Sequence, residues 1–233
     1  GMNAAGTDAK MRNTKESILE AQFTSGAGNW CTWMFGRDLV NWNNNFTWAK
    51  WVTPSRDLIS AFKQEGDEVR FKESIVYYDC NWSNYYPSDN YPFMYKCRSA
   101  NSSIIKYRYA DVLLLKAEAL IMQDTPDLEG AADIIDEVRD RAKLGALPTS
   151  VRSNKNVLLN ALLKERRLEL AFEGQRWFDL VRLDKVEEVM NAVYAKDSGR
   201  KAQIYTFDKN SYRLPIPQSV IDANDKIHQN PGY

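Results

Sequence analysis

Histidine is almost missing from this chain. His228, near the C-terminus, is the only one. That excludes zinc sites with two histidines and most histidine-based acid–base pairs. No Ser or Cys forms a recognisable nucleophile motif with it, so it reads as a structural or surface residue. Cysteine is scarce too: Cys31, Cys80 and Cys97, with no CxxC, so at least one thiol stays unpaired within a monomer. Their spacing does not fix a redox compartment. No stretch approaches the ~18 consecutive apolar residues of a membrane-spanning helix. The N-terminus, GMNAAGTDAKMRNTKES, is polar and lacks the apolar stretch of a signal peptide. Gly1 ahead of Met2 reads as an expression scar, and the chain as one that starts inside a longer natural protein. Neither charge sign is in excess, with Lys+Arg and Asp+Glu both 31. Phosphate binding wants a basic surplus, so nucleic acid is not the expected partner. An uncharged partner such as a sugar is left open.

What the chain does have is apolar and aromatic mass. Its 233 residues are 44% hydrophobic, enough for one large domain or two small ones with a real core. Residues 1–15 read as flexible. ESILEAQFT, 16–24, suggests a short strand. At 53–62, TPSRDLISAF offers Thr53 or Ser55 as a cap, Pro54 in the first turn and Leu58, Ile59 and Phe62 on one face, so a helix is expected over about 55–65. VRFKESIVYYD, 69–79, is strand-like. Residues 80–103 are loop-rich, with room for a hairpin.

The character changes at Lys106. YRYADVLLLKAEALIMQ, 107–123, is helix-forming, with Val112, Leu115, Ala119 and Met122 on one stripe. Pro126 starts a second helix over 127–144, with Ala131, Ile134, Ile135, Val138 and Ala142 at helical spacing. Gly145 stands where a helix end favours left-handed backbone. The pair forms an antiparallel hairpin about the length of one tetratricopeptide unit, which must stack on other helices to bury its faces. The longest helix is expected at about 156–173, interrupted by Gly174, with QRWFDLVRL resuming; Trp177 and Phe178 read as packing. VEEVMNAVY, 186–194, suggests a short helix. From Tyr212 the tail carries Pro215, Pro217 and Pro231 and reads as extended segments with turns.

Five of the seven tryptophans fall within residues 29–51, beside Asn41, Asn43, Asn44 and Asn45. Large aromatics are usually at least partly buried. Trp48 and Trp51 abut the Thr53–Phe62 segment and read as packing. Trp30, Trp33 and Trp42 stand among Gly and Asn, open to either packing or binding. A pyranose offers an apolar face of C–H groups and a ring of hydroxyls. An indole supplies a flat surface for that face at low entropy cost, and an Asn such as Asn43 or Asn44 gives both a donor and an acceptor to the hydroxyls. Trp82, Tyr85, Tyr86 and Tyr91 form a second cluster of the same chemistry.

The run Glu165, Arg166, Arg167, Glu169, Glu173, Arg176, Asp179 and Arg182 invites a glycosidase reading, with one carboxylate as acid and another as base or nucleophile. Opposite signs at i,i+3 (Arg166–Glu169, Glu173–Arg176, Asp179–Arg182) argue for a structural network whose paired carboxylates keep low pKa values, unsuited to a general acid. Asp222, Asn224 and Asp225 lack the remaining ligands of a calcium loop. No metal, cofactor or catalytic site is expected.

Four stretches occur in order: KYRYADVLLLKAEALIMQ, IIDEVRDRAKLG, LLKERRLELAFEGQRWFDLVRLDK and RLPIPQSVIDANDKIHQNPGY. Together they resemble the C-terminal half of SusD/RagB proteins of Bacteroidetes, over about residues 104–233. TPSRDLISAF also resembles a segment usual in that half. The resemblance implies a mainly α fold of tetratricopeptide-like units with loop-rich aromatic insertions. It implies one C-terminal domain over 16–233: an aromatic region at 25–103, helices at 105–190 and an extended tail at 205–233. It further implies a non-catalytic glycan-binding lipoprotein on the outer face of the outer membrane, serving nutrient uptake beside a SusC-like TonB-dependent transporter. Glycan contacts are then expected, by position, among aromatics near 25–50, and the charged run is a structural signature. The lipoprotein signal, its acylated cysteine and most helical units of that family have no counterpart here. Set against this are a scaffold that binds a partner protein without sugar, and a glycosidase, for which no isolated carboxylate pair is visible.

Overall fold

The structure, a computed structural model, describes residues 12–23, 53–80, 86–87, 89–96, 103–196 and 206–233. Helices dominate, as expected. Two compact units divide the chain, Gly1–Arg176 and Trp177–Tyr233. The expected flexible N-terminus lies almost wholly outside the described residues, as do Trp48 and Trp51.

In the first unit, β1 (Ser17–Ala21) pairs antiparallel with β4 (Ile104–Arg108). The helix α1 (Arg56–Glu65) forms for the expected reasons. Ser55 accepts from the Leu58 amide at 3.1 Å, Leu58, Ile59 and Phe62 are buried, and Gly66 closes the end with φ +69°. The strand expected over 69–79 is only half right. Glu68–Ser74 is a second helix, α2, and the strand β2 (Ile75–Tyr78) begins after it, pairing with β3 (Tyr91–Met94). Asp67 caps α2 by accepting from the Arg70 amide at 3.1 Å. A cap followed by a tertiary ion partner outweighed the alternating pattern.

Three helices carry the core: α3 (Tyr109–Met122), α4 (Leu128–Arg141) and α6 (Lys155–Glu169), with the short α5 (Thr149–Arg152) between the last two. Leu114, Ala117 and Ile121 of α3 meet Ala131, Ala132 and Ile135 of α4 and Leu158 and Leu162 of α6, all without solvent exposure. The stripe picked out by spacing, Val112, Leu115, Ala119 and Met122, is exposed. Both faces of α3 are apolar, and the buried one also holds Asp111 and Glu118, which disguised it. The N-terminus of α3 has no cap from its own flank. Glu16, beside β1, takes the Tyr109 amide on its carbonyl at 2.8 Å and the Ala110 amide on its carboxylate at 3.2 Å. So the small sheet docks and caps the helical layer together.

Helix ends differ from expectation in two places. α4 stops at Arg141, and Lys143 takes the left-handed turn (φ +60°) expected of Gly145; the Gly145 carbonyl accepts from Arg139 Nε at 2.9 Å. α6 stops at Glu169 rather than near 173, with Phe172 (φ +66°) and Gly174 (φ +81°) in the turn that follows. Lys96 Nζ at 2.7 Å and Arg108 Nη2 at 2.8 Å both donate to the Glu169 carbonyl. Two cations at a helix C-terminus satisfy a carbonyl the helix leaves open and meet its dipole favourably.

The second unit contains α7 (Arg176–Arg182), α8 (Val186–Lys196), a 3-10 turn at Lys209–Tyr212 and α9 (Gln218–Asp222). Trp177 and Tyr194 both pack on Phe207, with ring centroids 6.3 and 5.3 Å away. Phe178, expected to pack, is 64% exposed. The tail is less extended than expected. Besides α9, it is laced by Gln229, whose side chain accepts from the Ile216 amide at 2.8 Å and donates to the Ile216 carbonyl at 2.9 Å. His228, read from the sequence as structural or surface, is exposed.

Candidate functional site

Of the expected sugar contacts, Trp30, Trp33, Trp42, Asn43, Asn44, Trp82 and Tyr85 lie outside the described residues; Tyr86 lies within them. It stands beside the β2–β3 pair. Its hydroxyl donates to the Pro54 carbonyl at 2.8 Å, which anchors it to the start of α1. The Arg56 guanidinium lies 4.6 Å from its ring centroid, a cation–π contact. Tyr91 meets it edge-on at 5.7 Å, and Phe93 follows at 4.9 Å from Tyr91. Tyr91 is buried, within 2.5 Å of the Thr53 hydroxyl, and burial raises its pKa. Tyr86 itself is half-buried. Rigid backing of this kind is what a stacking residue needs. Sequence reading named Tyr86 and Tyr91 but not Arg56, whose cue was its place at the first turn of TPSRDLISAF.

The charged run on α6 becomes a buried network in the first unit. Glu165, Arg166 and Glu169 are 2%, 1% and 4% exposed. Arg108 uses its whole guanidinium. Nε and Nη2 reach Glu173 at 2.7 and 3.0 Å, Nη1 reaches Glu169 at 2.6 Å and Glu16 at 2.9 Å, and Nη2 also takes the Glu169 carbonyl. Arg70 bonds Asp67 at 2.5 Å through Nε and, through Nη1, Glu165 at 2.5 Å and Glu169 at 3.2 Å. Arg166 reaches Asp111 of α3 at 2.9 Å. In the second unit Asp179 and Arg182 make the expected i,i+3 pair, at 2.9 Å. The strongest partners of the run thus come from other elements, which spacing along one helix could not reveal.

Electrostatics follow the pairing with one exception. Burial pushes the Glu169 pKa up, but Arg108, Arg141 and Lys96 outweigh it and hold it well below the usual range. Glu173 behaves alike, burial being outweighed by Lys96 and Arg108. At Glu165 burial wins, and its pKa is raised against the pull of Arg70 and Arg139. The expectation of uniformly low values therefore fails there, because Glu165 is deep and near Glu169. Among the described residues, no His/Cys/Asp/Glu group is arranged to hold a metal ion, and no helix is long and apolar enough to cross a membrane.

Residues 86–233 match the SusD family. A SusD-like protein, P2, of Formosa agariphila is 36% identical over 143 residues, 58% of this chain and 27% of that protein. A SusD homologue of Bacteroides thetaiotaomicron has the same fold, with a TM-score of 0.73 at 20% identity over 94% of this chain and 52% of its own. A surface glycan-binding protein A of the same species, solved in complex with laminarihexaose, gives 0.68 at 20% identity over 92% of this chain and 52% of its own. This chain thus spans about half the length of those solved proteins.

Proposed function

The chain belongs to the SusD family, and from that premise we propose that it binds a polysaccharide or oligosaccharide as the non-catalytic component of a TonB-dependent uptake complex. The observation that carries this reading is the family match over 86–233, joined to a structural neighbour that holds a bound glucan hexasaccharide. The half-buried Tyr86, held by Arg56 and Tyr91, supports an aromatic contribution to binding, and Trp30, Trp33, Trp42, Asn43, Asn44, Trp82 and Tyr85 are proposed as further glycan contacts. The proposed setting is the outer face of the outer membrane, with a lipid anchor in the complete protein and a SusC-like transporter as partner. The non-catalytic part is supported by the pairing of Glu165, Glu169 and Glu173, each engaged by guanidinium or ammonium groups.

Laminarin and a panel of plant, host and microbial polysaccharides should be titrated against this chain and the full-length protein, following tryptophan fluorescence. Binding is expected, with no new reducing ends over time. Stacking on one aromatic contributes about 1–3 kcal/mol in nucleic-acid cases, and a sugar face should give no more. At least one of Trp30→Ala, Trp33→Ala and Trp42→Ala should then weaken binding about 5- to 100-fold. If all three bind a glycan as wild type does, the platform lies elsewhere.

A second reading, a scaffold that docks the transporter without touching sugar, draws on the exposed apolar stripe Val112, Leu115, Ala119 and Met122 of α3. It predicts capture of the transporter with no glycan response at all.

A further inference from the structure

The connection between β2 and β3 carries Trp82, Tyr85 and Tyr86, all proposed above to meet a glycan. A lone two-stranded hairpin is marginal in water and keeps its place only when other elements hold it. Among the described residues, the buried core of this one is Cys80, Tyr91 and Phe93, with Tyr78 and Tyr95 packed against it. On the loop side Tyr86 fastens it to α1, through Pro54 and Arg56. At the open end the Tyr95 amide donates to the Ser74 carbonyl at 2.8 Å. Lys96 comes directly after. Its Nζ donates to the Glu169 carbonyl at 2.7 Å and pairs with the Glu173 carboxylate. Both partners belong to the end of α6 and the turn that follows it.

We propose that Lys96 is a positioning residue for glycan binding: it ties the open end of the hairpin to the end of α6 and so sets where the aromatic connection stands. The proposal rests on the glycan-binding reading above, because Lys96 acts through those contacts. Its distinguishing feature is what its loss leaves behind. Glu169 keeps Arg108 and Arg141 on its carboxylate, and its carbonyl keeps Arg108 Nη2. Glu173 keeps Arg108 on both oxygens. Neither carboxylate is left buried alone, the condition that makes breaking a buried pair costly for the whole fold. The helical layer therefore survives the loss, and the hairpin alone loses its tether. A segment that spends only a fraction of its time in the binding position binds more weakly by that fraction. The loss of Lys96 thus shows in affinity before it shows in stability.

The test titrates the full-length protein with laminarin, and with the other polysaccharides of the panel where laminarin does not bind. Lys96→Met removes the cation and keeps the stem, and should weaken binding about three- to tenfold. Lys96→Gln replaces it if that variant does not fold. Lys96→Arg can still bond a carbonyl and a carboxylate, and should restore affinity to within about twofold of wild type. Leu162→Ala lies in the core of α3, α4 and α6, outside the clusters that hold the hairpin. It should lower stability and leave affinity unchanged. Amide hydrogen exchange over 75–95 should quicken in Lys96→Met and stay at the wild-type rate in α3 and α4. A wild type that binds no polysaccharide of the panel would overturn the glycan-binding reading and this proposal with it. Equal affinity, or equal exchange over 75–95, in wild type and Lys96→Met would overturn this proposal alone. So would an affinity loss that Lys96→Arg does not repair or that Leu162→Ala matches, since Lys96 would then serve general stability only.

Discussion

Leu162 and Arg166 stand one turn apart on α6, and both are sealed from solvent, at 0% and 1% exposure. Leu162 faces the dry core with Leu114, Ile121 and Ile135. Arg166 faces Asp111 on α3 across 2.9 Å. The same helix thus builds two interiors by opposite means. The dry one is non-directional: any apolar group of similar volume serves. The charged one is directional and costly, because each ion left its water and is repaid only if its partner is in place. Burial equalises the two residues, and the consequence of losing each is what separates them.

The largest effect should come from the charged side. Arg166→Ala leaves Asp111 buried without its guanidinium, and breaking a buried pair this way costs about 3–5 kcal/mol. A joint Arg166→Met and Asp111→Leu change removes both ions and should recover most of that loss, because replacing a whole buried pair by apolar groups is often close to neutral. Chemical denaturation would read both. If the single variant costs no more than about 1 kcal/mol, the charged interior is solvated and the contrast with Leu162 fails.

Leu162→Ala should cost somewhat less, about 3 kcal/mol within the usual 2–5 for a buried leucine, through lost burial and the cavity left behind. Its loss should be independent of pH, which the next measurement exploits.

Acid should attack only the charged interior. Glu169, Glu173 and Glu65 have folded pKa values held below the usual range. Their contribution is present above the unfolded carboxylate value, about 4.3, and is lost as pH falls through the folded values. Glu165 runs the other way: its raised pKa means folding is penalised above the unfolded value and relieved as it protonates. Among the carboxylates sheltered from solvent, three lowered groups against one raised should leave a net loss of about 1–3 kcal/mol between pH 6 and 3. Leu162→Ala should shift the whole stability curve down in parallel, while Glu169→Gln should flatten its acid limb. Parallel curves for both variants would place the acid response elsewhere.

The same contrast explains what could be read in advance. Periodicity found α1, α3, α4 and α6, because their apolar spacing and caps are local properties. It failed on which side of α3 faces inward: Val112, Leu115, Ala119 and Met122 form as good a stripe as Leu114, Ala117 and Ile121. Only the Asp111–Arg166 pair, 55 residues apart in sequence, marks the buried side. The charged run was visible as a run, but its partners Arg70, Lys96 and Arg108 lie on a helix, a loop and a strand that no helical spacing connects. VRFKESIVYYD failed for a related reason, since Arg70 is drawn into a helical turn by Asp67, Glu165 and Glu169. For the candidate site, composition gave Tyr86 its chemistry, while its anchorage to Pro54 and Arg56 is tertiary. The ordered family motifs carried the functional reading further than any single residue did.

The smallest effect tests whether depth, and not merely charge, sets these costs. Arg152 on α5 meets Glu129, Asp133 and Asp136, three carboxylates along one face of α4. On paper it is the most heavily paired cation on that face, and its pKa is raised first by its hydrogen bonds to Glu129 and Asp133. Yet Glu129 and Asp133 are 72% and 68% exposed, so water already solvates them when the partner is removed. Two of the three pairs are exposed in this way and contribute about 0–1 kcal/mol, while Asp136, 17% exposed, keeps the Leu147 amide as a partner when Arg152 is removed. Removing Arg152 also leaves like charges at i,i+4 and i,i+3 spacing to repel one another, a penalty of a few tenths of a kcal/mol each. Arg152→Ala should therefore lower stability by about 1 kcal/mol or less at low salt. In about 1 M salt, where the Debye length falls to about 3 Å, most of that difference should disappear. Arg166→Ala should keep its full cost in the same salt, since no counterion reaches Asp111. A loss at Arg152 as large as that at Arg166, and equally indifferent to salt, would mean that the number of partners and not their burial governs both sites.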